Sequence, residues 1–370
     1  MEHKSTHVNY ETMKSCCHPH AKPSGFLFAG LHLWKLVAVG FLLMLGSCTK
    51  DAVIEGPALV DLFGDFQVLE PVKTSRDSVR FGQGETVYLQ GRFNKLTDWR
   101  VEVRGLSSGA RKIISGKSRS LDAVNCVWNG STTLFPMFRA EETELKLFVE
   151  QDSLLFQRRI KVLSVRQPGG FVLADFESGI RPGWQSFVQS GANMSFVIRT
   201  NPLAGQGNAY YDMGGLVNWD WLIGMLEFPA SAYQAPRFPL AANPDQVYFN
   251  ALVYLPDSVT NALLLIQFRE DDNLDGQFNQ SNEDMYALQC AAYSVNGAQT
   301  LQRGWNLISA RYSDLVSLVN GQPSTPAGNN RLEPDRLQKV SVLMLANPSS
   351  GYSQLYLDYV VFTSNGPLQP

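Results

Sequence analysis

The sequence of 370 residues predicts an all-β protein made of two successive β-sandwiches. Three observations lead to this fold class. Apolar and polar residues alternate with a period of two in many short runs, turn-forming residues separate the runs, and no segment sustains the period of a helix. With 44% hydrophobic residues, the chain can also bury a proper core.

Residues 1–48 predict a secretory signal peptide. Lys35 is followed by the apolar run of residues 36–45, and Gly46, Ser47 and Cys48 come next. A basic flank, a short apolar stretch and a small-residue cleavage region are typical of such signals. The apolar run has about ten residues, whereas a membrane-spanning helix needs roughly 20.

The stretch LGSC at residues 45–48 resembles the lipobox of bacterial lipoproteins, in which the cysteine is lipidated and becomes the mature N-terminus. The alternative is an ordinary secretory signal in which Cys48 falls there by chance. Lys50 and Asp51 partly match the surface-export signal of Bacteroidota lipoproteins. These resemblances imply a lipid anchor at Cys48 in the outer membrane and a position on the cell surface.

Charge and histidine content exclude several function classes. The chain has 31 basic and 34 acidic residues, so it offers no electrostatic footprint for nucleic acid. All five histidines precede Cys48, which removes Ser-His-Asp catalysis, Cys-His catalysis and His-ligated zinc from a chain cleaved there. Cys126 and Cys290 lack metal-site spacing, and we expect two buried small hydrophobes rather than a disulfide.

Residues 49–167 predict the first sandwich. Apolar and polar residues alternate at residues 87–90, 99–103 and 145–149. Turn signals separate such runs at residues 82–84, 105–109 and 129–130. This spacing favours an immunoglobulin-like β-sandwich, and the region resembles the spacer domains at the base of Bacteroidota surface lipoproteins.

A linker at residues 166–170, with one proline and two glycines, precedes the second sandwich, residues 168–370. Strands are predicted at residues 246–254, 262–268, 339–345 and 355–362. Brief helical turns are predicted at residues 313–319 and 333–337. A jelly-roll β-sandwich fits this series of strands.

Four motifs of the second sandwich resemble the galactose-binding-like jelly rolls of carbohydrate-binding modules. The motifs are LADFE at 173–177, GQGNAYY at 205–211, RGWN at 303–306 and LYLDYVVF at 355–362. Similar modules occur in Bacteroidota glycan-uptake lipoproteins. Each motif is loose, and the resemblance depends on their order along the chain.

The resemblance also implies a structural calcium ion where the first and last strands of the module meet. Its candidate ligands are Asp175 or Glu177 from the first strand and Asp358 from the last. Carboxylates suit this hard cation, which takes about 6 to 8 oxygen ligands. The alternative is that Asp358 simply points outward between Leu357 and Tyr359.

A second candidate calcium site comes from the residues themselves. Asp271, Asn273 and Asp275 before Gly276 match the start of a calcium loop, in which alternate oxygens converge and glycine makes the sharp turn. Position twelve is Asn282 rather than glutamate, so the match is incomplete. The alternative is a solvated hairpin loop. Acids on such a loop lack the rigid support that a glycosidase pair requires.

Two stretches combine the flat rings and polar groups that recognise sugars. Aromatic rings stack on the C–H faces of sugars, while amide, carboxylate and guanidinium groups bind the hydroxyls. The candidate glycan-binding residues are Asn218, Trp219, Asp220, Trp221, Gln267 and Arg269. The alternatives are that the tryptophans belong to the core and that Gln267 and Arg269 mark where a strand emerges into water.

These observations favour a non-catalytic, surface-exposed lipoprotein that captures polysaccharide or oligosaccharide for uptake. By resemblance, its partners are an outer-membrane transporter and companion glycan-binding lipoproteins. Two alternatives remain open. The first is an adhesin or structural protein that contacts another protein, and the second is a hydrolase or lyase that acts through carboxylates and tyrosine.

Overall fold

The computed structural model describes residues 64–150, 152–201, 203–218, 221–319, 321–346 and 351–370, which all belong to one compact unit. The predicted signal peptide, the lipidation of Cys48 and the export signal lie outside these residues. None of the helices in the described ranges is long and apolar enough to cross a membrane. Regular structure there consists of strands and short 3-10 turns, so the predicted all-β class is confirmed.

The N-terminal part contains seven strands around a core of its own. They are β1 (Val68–Thr74), β2 (Ser78–Arg80), β3 (Val87–Gly105), β4 (Arg111–Leu121), β5 (Val127–Trp128), β6 (Glu142–Val149) and β7 (Ser153–Ser164). The order is β1-β3-β6-β7-β2, and β4 and β5 also pair with β3. Cys126 packs in this core as a free, buried thiol, as predicted.

Strand β3 joins two stretches that the sequence predicts as separate strands. It runs for 19 residues, and its apolar side chains alternate inward from Val87 to Val103. Its pairing with β4 shifts register between Arg92 and Thr97. Such a bulge bends a strand without ending it, which lets one strand pair with β1 and β5 at one end and with β6 at the other.

The C-terminal part contains two six-stranded sheets and a two-stranded hairpin. Its strands are β8 (Phe171–Ala174), β9 (Gln185–Val188), β10 (Ala192–Thr200), β11 (Ala209–Leu216), β12 (Leu222–Pro229), β13 (Val247–Leu255), β14 (Ala262–Glu270), β15 (Met285–Ala291), β16 (Gln299–Thr300), β17 (Gly304–Arg311), β18 (Leu318–Val319), β19 (Gln322–Pro323), β20 (Leu337–Ala346) and β21 (Ser353–Ser364). The first sheet has the order β10-β11-β21-β13-β17, with β8 on β21. The second sheet has the order β16-β15-β14-β20-β12-β9, and β18 pairs with β19.

Short 3-10 turns connect some of these strands. They are Phe81–Gln83, Ala230–Tyr233, Pro244–Gln246, Tyr312–Asp314 and Pro334–Arg336. The helical turn predicted at residues 313–319 is therefore shorter than expected, and β18 takes the last two of these residues. The turn predicted at residues 333–337 is present as Pro334–Arg336.

One core fills the space between the two sheets of the jelly roll. Alternate residues of β13 and β14 point into it, and the rings of Phe249 and Phe268 meet with centroids 5.1 Å apart. Cys290 is a free, buried thiol in the same core, as predicted. Each sheet therefore has an inner face on this core and an outer face that points away from it.

The N-terminal part contacts the outer face of the first sheet. Met137 packs with Leu252 and Val361, and its backbone N–H donates to the carbonyl of Gly205 at 2.8 Å. This contact covers one end of that face with apolar side chains. The division of the chain at about residue 168 stays a prediction.

Candidate functional site

Four neighbouring strands of the first sheet place an acid and three aromatic residues in one row. Asp212 of β11 pairs with Tyr356 of β21, Tyr356 pairs with Tyr254 of β13, and Tyr254 pairs with Trp305 of β17. Because strand side chains alternate between faces, Tyr254 points away from the core that holds its neighbour Val253. We call Tyr254, Trp305 and Tyr356 the aromatic shelf.

The three rings of the aromatic shelf are half-buried and in contact. Tyr254 and Tyr356 are stacked, with centroids 5.3 Å apart and planes 13° from parallel. Trp305 meets Tyr254 edge-on at 5.3 Å, and its indole N–H donates to the carbonyl of Leu203 at 2.8 Å. The shelf is thus a set of rings in mutual contact, each of which remains partly exposed to solvent.

A polar anchor adjoins the tyrosine end of the aromatic shelf. The Asp212 carboxylate is only 2% exposed and accepts 2.8 Å hydrogen bonds from Arg199 Nε, Ser195 Oγ and Gln354 Nε2. The hydrogen bond to Asp212 raises the pKa of Arg199 further. Half of the Arg199 side chain remains exposed, so this cation is held in place and can still contact a ligand.

Burial keeps the tyrosine hydroxyls of this face protonated. Burial, followed by the neighbouring charge of Asp212, raises the pKa of Tyr356 to about 12. Burial also raises the pKa of Tyr254. Both side chains therefore offer a neutral O–H group that can donate to a sugar oxygen at neutral pH.

Gln267 and Arg269 lie together on the outer face of the second sheet, on the shared face that the sequence predicts. Arg269 Nη1 is 2.8 Å from Glu227 Oε1, and Arg269 Nη2 donates to Gln267 Oε1 at 3.2 Å. Ser341 Oγ donates to Glu227 Oε1 at 2.7 Å, and Lys339 Nζ lies 3.5 Å from Glu227 Oε2. We call these five residues the Glu227 network.

Most of the polar groups in the Glu227 network already bond to one another. Glu227 is 5% exposed, and both of its oxygens already have cationic or hydroxyl partners. The Arg269 guanidinium also lies 5.6 Å from the ring of Phe278. Arg269 Nε is the atom left over, because it is buried without a hydrogen-bond partner. These contacts stabilise a buried acid and leave little for a ligand.

The tryptophan stretch is described only in part. Trp219 and Asp220 lie outside the described residues, while Asn218 is exposed and Trp221 is 53% exposed. The alternative that Trp221 belongs to the core is therefore wrong. Its carbonyl accepts from the N–H of Ala346 at 2.9 Å, just before β12 begins. The assignment of this stretch to glycan binding stays a prediction.

Asp358 is fully buried, so the alternative that it points out into solvent is wrong. Its oxygens accept from the backbone N–H groups of Gln206 at 2.8 Å and Tyr359 at 2.7 Å. Burial raises its pKa well above the usual value. Gln206, whose N–H donates to Asp358, also has a buried side-chain oxygen without a hydrogen-bond partner.

Asp175 and Glu177 lie in the loop after β8. Glu177 Oε1 accepts from the N–H groups of Asn208 at 2.7 Å and Ala209 at 2.8 Å, and Asp175 Oδ1 accepts from the N–H of Glu177 at 3.2 Å. The charge of Glu177 contributes, after burial, to the raised pKa of Asp358. The predicted calcium site at these residues stays a prediction.

The acidic loop between β14 and β15 holds two groups of three carboxylates whose oxygens lie within 4.8 Å of one another. One group contains Asp271 and Asp275, as the calcium-loop pattern predicts, and adds Glu283. Asn273 contacts Asp275, donating through Nδ2 to Asp275 Oδ2 at 3.1 Å. The second group, Glu270, Asp272 and Asp284, was not anticipated from the sequence.

Comparisons with known proteins give low overall similarity. No protein-family model matches the chain, and a search of curated proteins finds no match. A family 11 carbohydrate-binding module of a Clostridium thermocellum cellulosomal cellulase shows 15% identity over 54% of this chain and 96% of its own, with a TM-score of 0.34. SGBP-B from a xyloglucan utilization locus of Bacteroides uniformis shows 12% identity over 81% and 73%, with a TM-score of 0.33.

A third similar structure comes from a different class of protein. The K1 cleaved adhesin domain of Lys-gingipain from Porphyromonas gingivalis shows 15% identity over 53% of this chain and 100% of its own, with a TM-score of 0.29. Scores and identities at this level do not assign the chain to a family.

Proposed function

We propose that this protein binds carbohydrate without cleaving it, through the aromatic shelf and the polar anchor beside it. The observation that carries the proposal is the cross-strand row in which Asp212, Tyr356, Tyr254 and Trp305 follow one another on a single outer face. Flat rings bind the C–H faces of sugar units, and the held Arg199 side chain binds hydroxyls.

The chemistry of the anchor supports binding rather than turnover. A glycosidase needs one carboxyl group that donates a proton and a second about 5 to 10 Å away across the sugar. Asp212 accepts three hydrogen bonds through both of its oxygens, two of them from neutral groups and one from Arg199. It is therefore a fixed acceptor that orients its neighbours and is poorly suited to deliver a proton.

The finer parts of the proposal concern location and partners. The protein would be lipidated at Cys48, displayed on the outer membrane and used to capture polysaccharide for uptake. An outer-membrane transporter and companion glycan-binding lipoproteins would be its partners. The stretch LGSC at residues 45–48 and the partial export signal after it support this assignment.

We also propose a structural calcium ion beside Asp358. The fully buried carboxylate of Asp358 and the unpartnered side-chain oxygen of Gln206 are the donors that a hard cation would bind. Glu177 and Asp175, from the loop after β8, are the further ligands that the resemblance to carbohydrate-binding modules implies. The ion would then fasten the beginning of the jelly roll to its last strand.

The binding proposal is tested by affinity electrophoresis and calorimetry with a panel of soluble polysaccharides. We expect at least one to retard the protein, and Tyr254→Ala with Tyr356→Ala to abolish the retardation. Tyr248→Ala is the matched control, since Tyr248 lies near the other end of β13 and is also half-buried. Retention by no glycan, together with capture by a protein surface, would favour the adhesin. Release of reducing ends would favour a hydrolase.

A further inference from the structure

The acidic loop between β14 and β15 carries carboxylates on two opposite sides, and the proposed function does not use them. Successive side chains of an extended chain point to opposite sides. Glu270 and Asp272 therefore fall on one side of the chain, while Asp271 falls on the other. Glu283 and Asp284, just before β15, divide in the same way, so two separate groups of carboxylates form.

In the first group, Glu270 carries a buried oxygen that has no partner. The residue is 0% exposed, and its Oε1 accepts from the hydroxyl of Tyr312 at 2.7 Å and from the N–H of Glu333 at 2.9 Å. Its Oε2 has no hydrogen-bond partner. The hydrogen bonds to one oxygen fix the orientation of this carboxylate, and the other oxygen has no partner and is free to bind a cation.

Backbone encloses the rest of the first group. Asp284 is fully buried and accepts from the N–H groups of Gly328 at 2.7 Å and Arg331 at 3.2 Å. A Cβ atom at Gly328 would clash with Asp272 Oδ2 and Asp284 Oδ1, so the absence of a side chain lets the chain pass close to these oxygens. The segment that contains Gly328 therefore forms the wall of the group.

The second group repeats this arrangement. Asp271 is buried and accepts from the N–H groups of Asp275 at 3.1 Å and Gly276 at 2.9 Å. Glu283 is 1% exposed, and its Oε2 accepts from the N–H of Asn279 while its Oε1 has no partner. Each group thus has one glutamate with a buried, unpartnered oxygen.

Among the described residues, no lysine or arginine forms an ion pair with these groups. In the described part of the chain, none of the six carboxylates forms a salt bridge; Arg336 pairs with Glu333 instead and donates to the carbonyl of Asp272. Burying several carboxylates without a positive partner is strongly unfavourable. A cation bound from outside the chain would offset part of this cost.

We propose that the acidic loop binds two calcium ions, one in each group of carboxylates. Glu270, Asp272 and Asp284 hold the first ion, and Asp271, Asp275 and Glu283 hold the second. Carboxylate oxygens from a loop suit Ca²⁺, which accepts irregular coordination, better than Mg²⁺, which keeps several waters in a strict octahedron. The ions offset four of the six negative charges and fix the end of β14 to the segment around Gly328.

The proposal is tested by removing bound metal with a chelator and titrating calcium chloride into the protein by calorimetry. We expect Glu270→Gln and Glu283→Gln each to bind one calcium ion fewer than the wild type. Asp335→Asn, an exposed acid outside both groups, should leave the number unchanged. An ion bound beside Asp358 would add to every total and would survive both substitutions. Unchanged stoichiometry in either variant would overturn the assignment of that group.

A second measurement needs no variant. The hydroxyl of Tyr312 donates a hydrogen bond to Glu270, and the hydroxyl of Tyr286 donates one to Asp284. Light absorbed by these tyrosines would therefore excite a terbium ion bound in the first group. We expect tyrosine-sensitised terbium emission that calcium displaces. Calcium at about 100 times its Kd should also raise Tm by roughly 5 to 10 °C per site. Absence of emission together with an unchanged Tm would overturn the proposal.

Discussion

The two outer faces of the jelly roll use similar residue types for opposite purposes. On the first sheet, the carboxylate of Asp212 and its partners stand at one end of the row, and the rings of the aromatic shelf remain half-open. On the second sheet, the carboxylate of Glu227 lies within a set of partners that enclose it. The two faces have similar polar residues, and they differ mainly in how much of their surface a ligand can reach.

The energetic reason lies in what each polar group already contacts. A ligand gains little by displacing Arg269 from Glu227, since the buried acid would lose one of its two cations. A sugar on the aromatic shelf displaces only water from apolar rings, and the anchor keeps its internal hydrogen bonds. The comparison therefore predicts that substitutions on the first sheet change binding, whereas those on the second sheet change stability.

The largest effect is expected for Tyr356→Ala. Its ring lies between Asp212 and Tyr254 at the centre of the row, and removing a central aromatic anchor typically costs about 2 kcal/mol or more of binding free energy. The affinity for the retained glycan should fall about 30-fold or more. Calorimetry measures this loss, with Tyr248→Ala as the control. Equal affinities for the two variants would remove the shelf as the binding surface.

A smaller loss is expected for Asp212→Asn. The amide keeps the size of the side chain but removes the charge that holds Arg199, so the guanidinium loses its fixed orientation. We expect roughly tenfold weaker binding, which corresponds to about 1.4 kcal/mol. Binding of wild-type strength in Asp212→Asn at several salt concentrations would show that the anchor does not contact the ligand.

The sequence could predict one strand of the face that carries the aromatic shelf, but not the face itself. The alternation around Phe249 and Val253 puts Tyr254 on the outer side of its strand. The row also needs residues 212, 305 and 356, which come from strands far apart in the sequence. Pairing between distant strands is set by the packing of the whole sandwich, and one sequence does not reveal that register.

The second sheet shows a similar division between what is predictable and what is not. The shared face of Gln267 and Arg269 follows from strand alternation and is correct. Their role depends on Glu227, an acid within an otherwise apolar strand that gives no local sign of its partners. In the acidic loop, the calcium-loop pattern predicts that Asp271 and Asp275 lie close together, and both belong to the second group of carboxylates. The group around Glu270 is missed because Glu270 ends an apolar strand.

Arg269→Ala should separate stability from binding. Removal of the guanidinium leaves Glu227 buried with Lys339 as its one remaining cation among its described partners. An unsatisfied buried group costs about 1 to 3 kcal/mol, so the free energy of unfolding should fall by that amount. Glycan affinity should stay unchanged. Urea denaturation and calorimetry measure the two quantities, and Arg92→Ala, at an exposed ion pair, serves as the control. If this variant lost glycan affinity without losing stability, the binding site would lie on the second sheet instead.

The smallest effect is expected for Trp221→Ala, which tests the comparison from the other direction. The side chain of Trp221 is 53% exposed and belongs to neither the aromatic shelf nor the Glu227 network. Substitutions at such exposed positions usually change the free energy of unfolding by about 0.5 kcal/mol or less. If the aromatic shelf is the binding surface, glycan affinity should change less than about twofold. This is well below the tenfold change that corresponds to about 1.4 kcal/mol. An affinity loss as large as that of Tyr356→Ala would instead place the sugar at residues 218–221, and the open rings of the first sheet would then need another explanation.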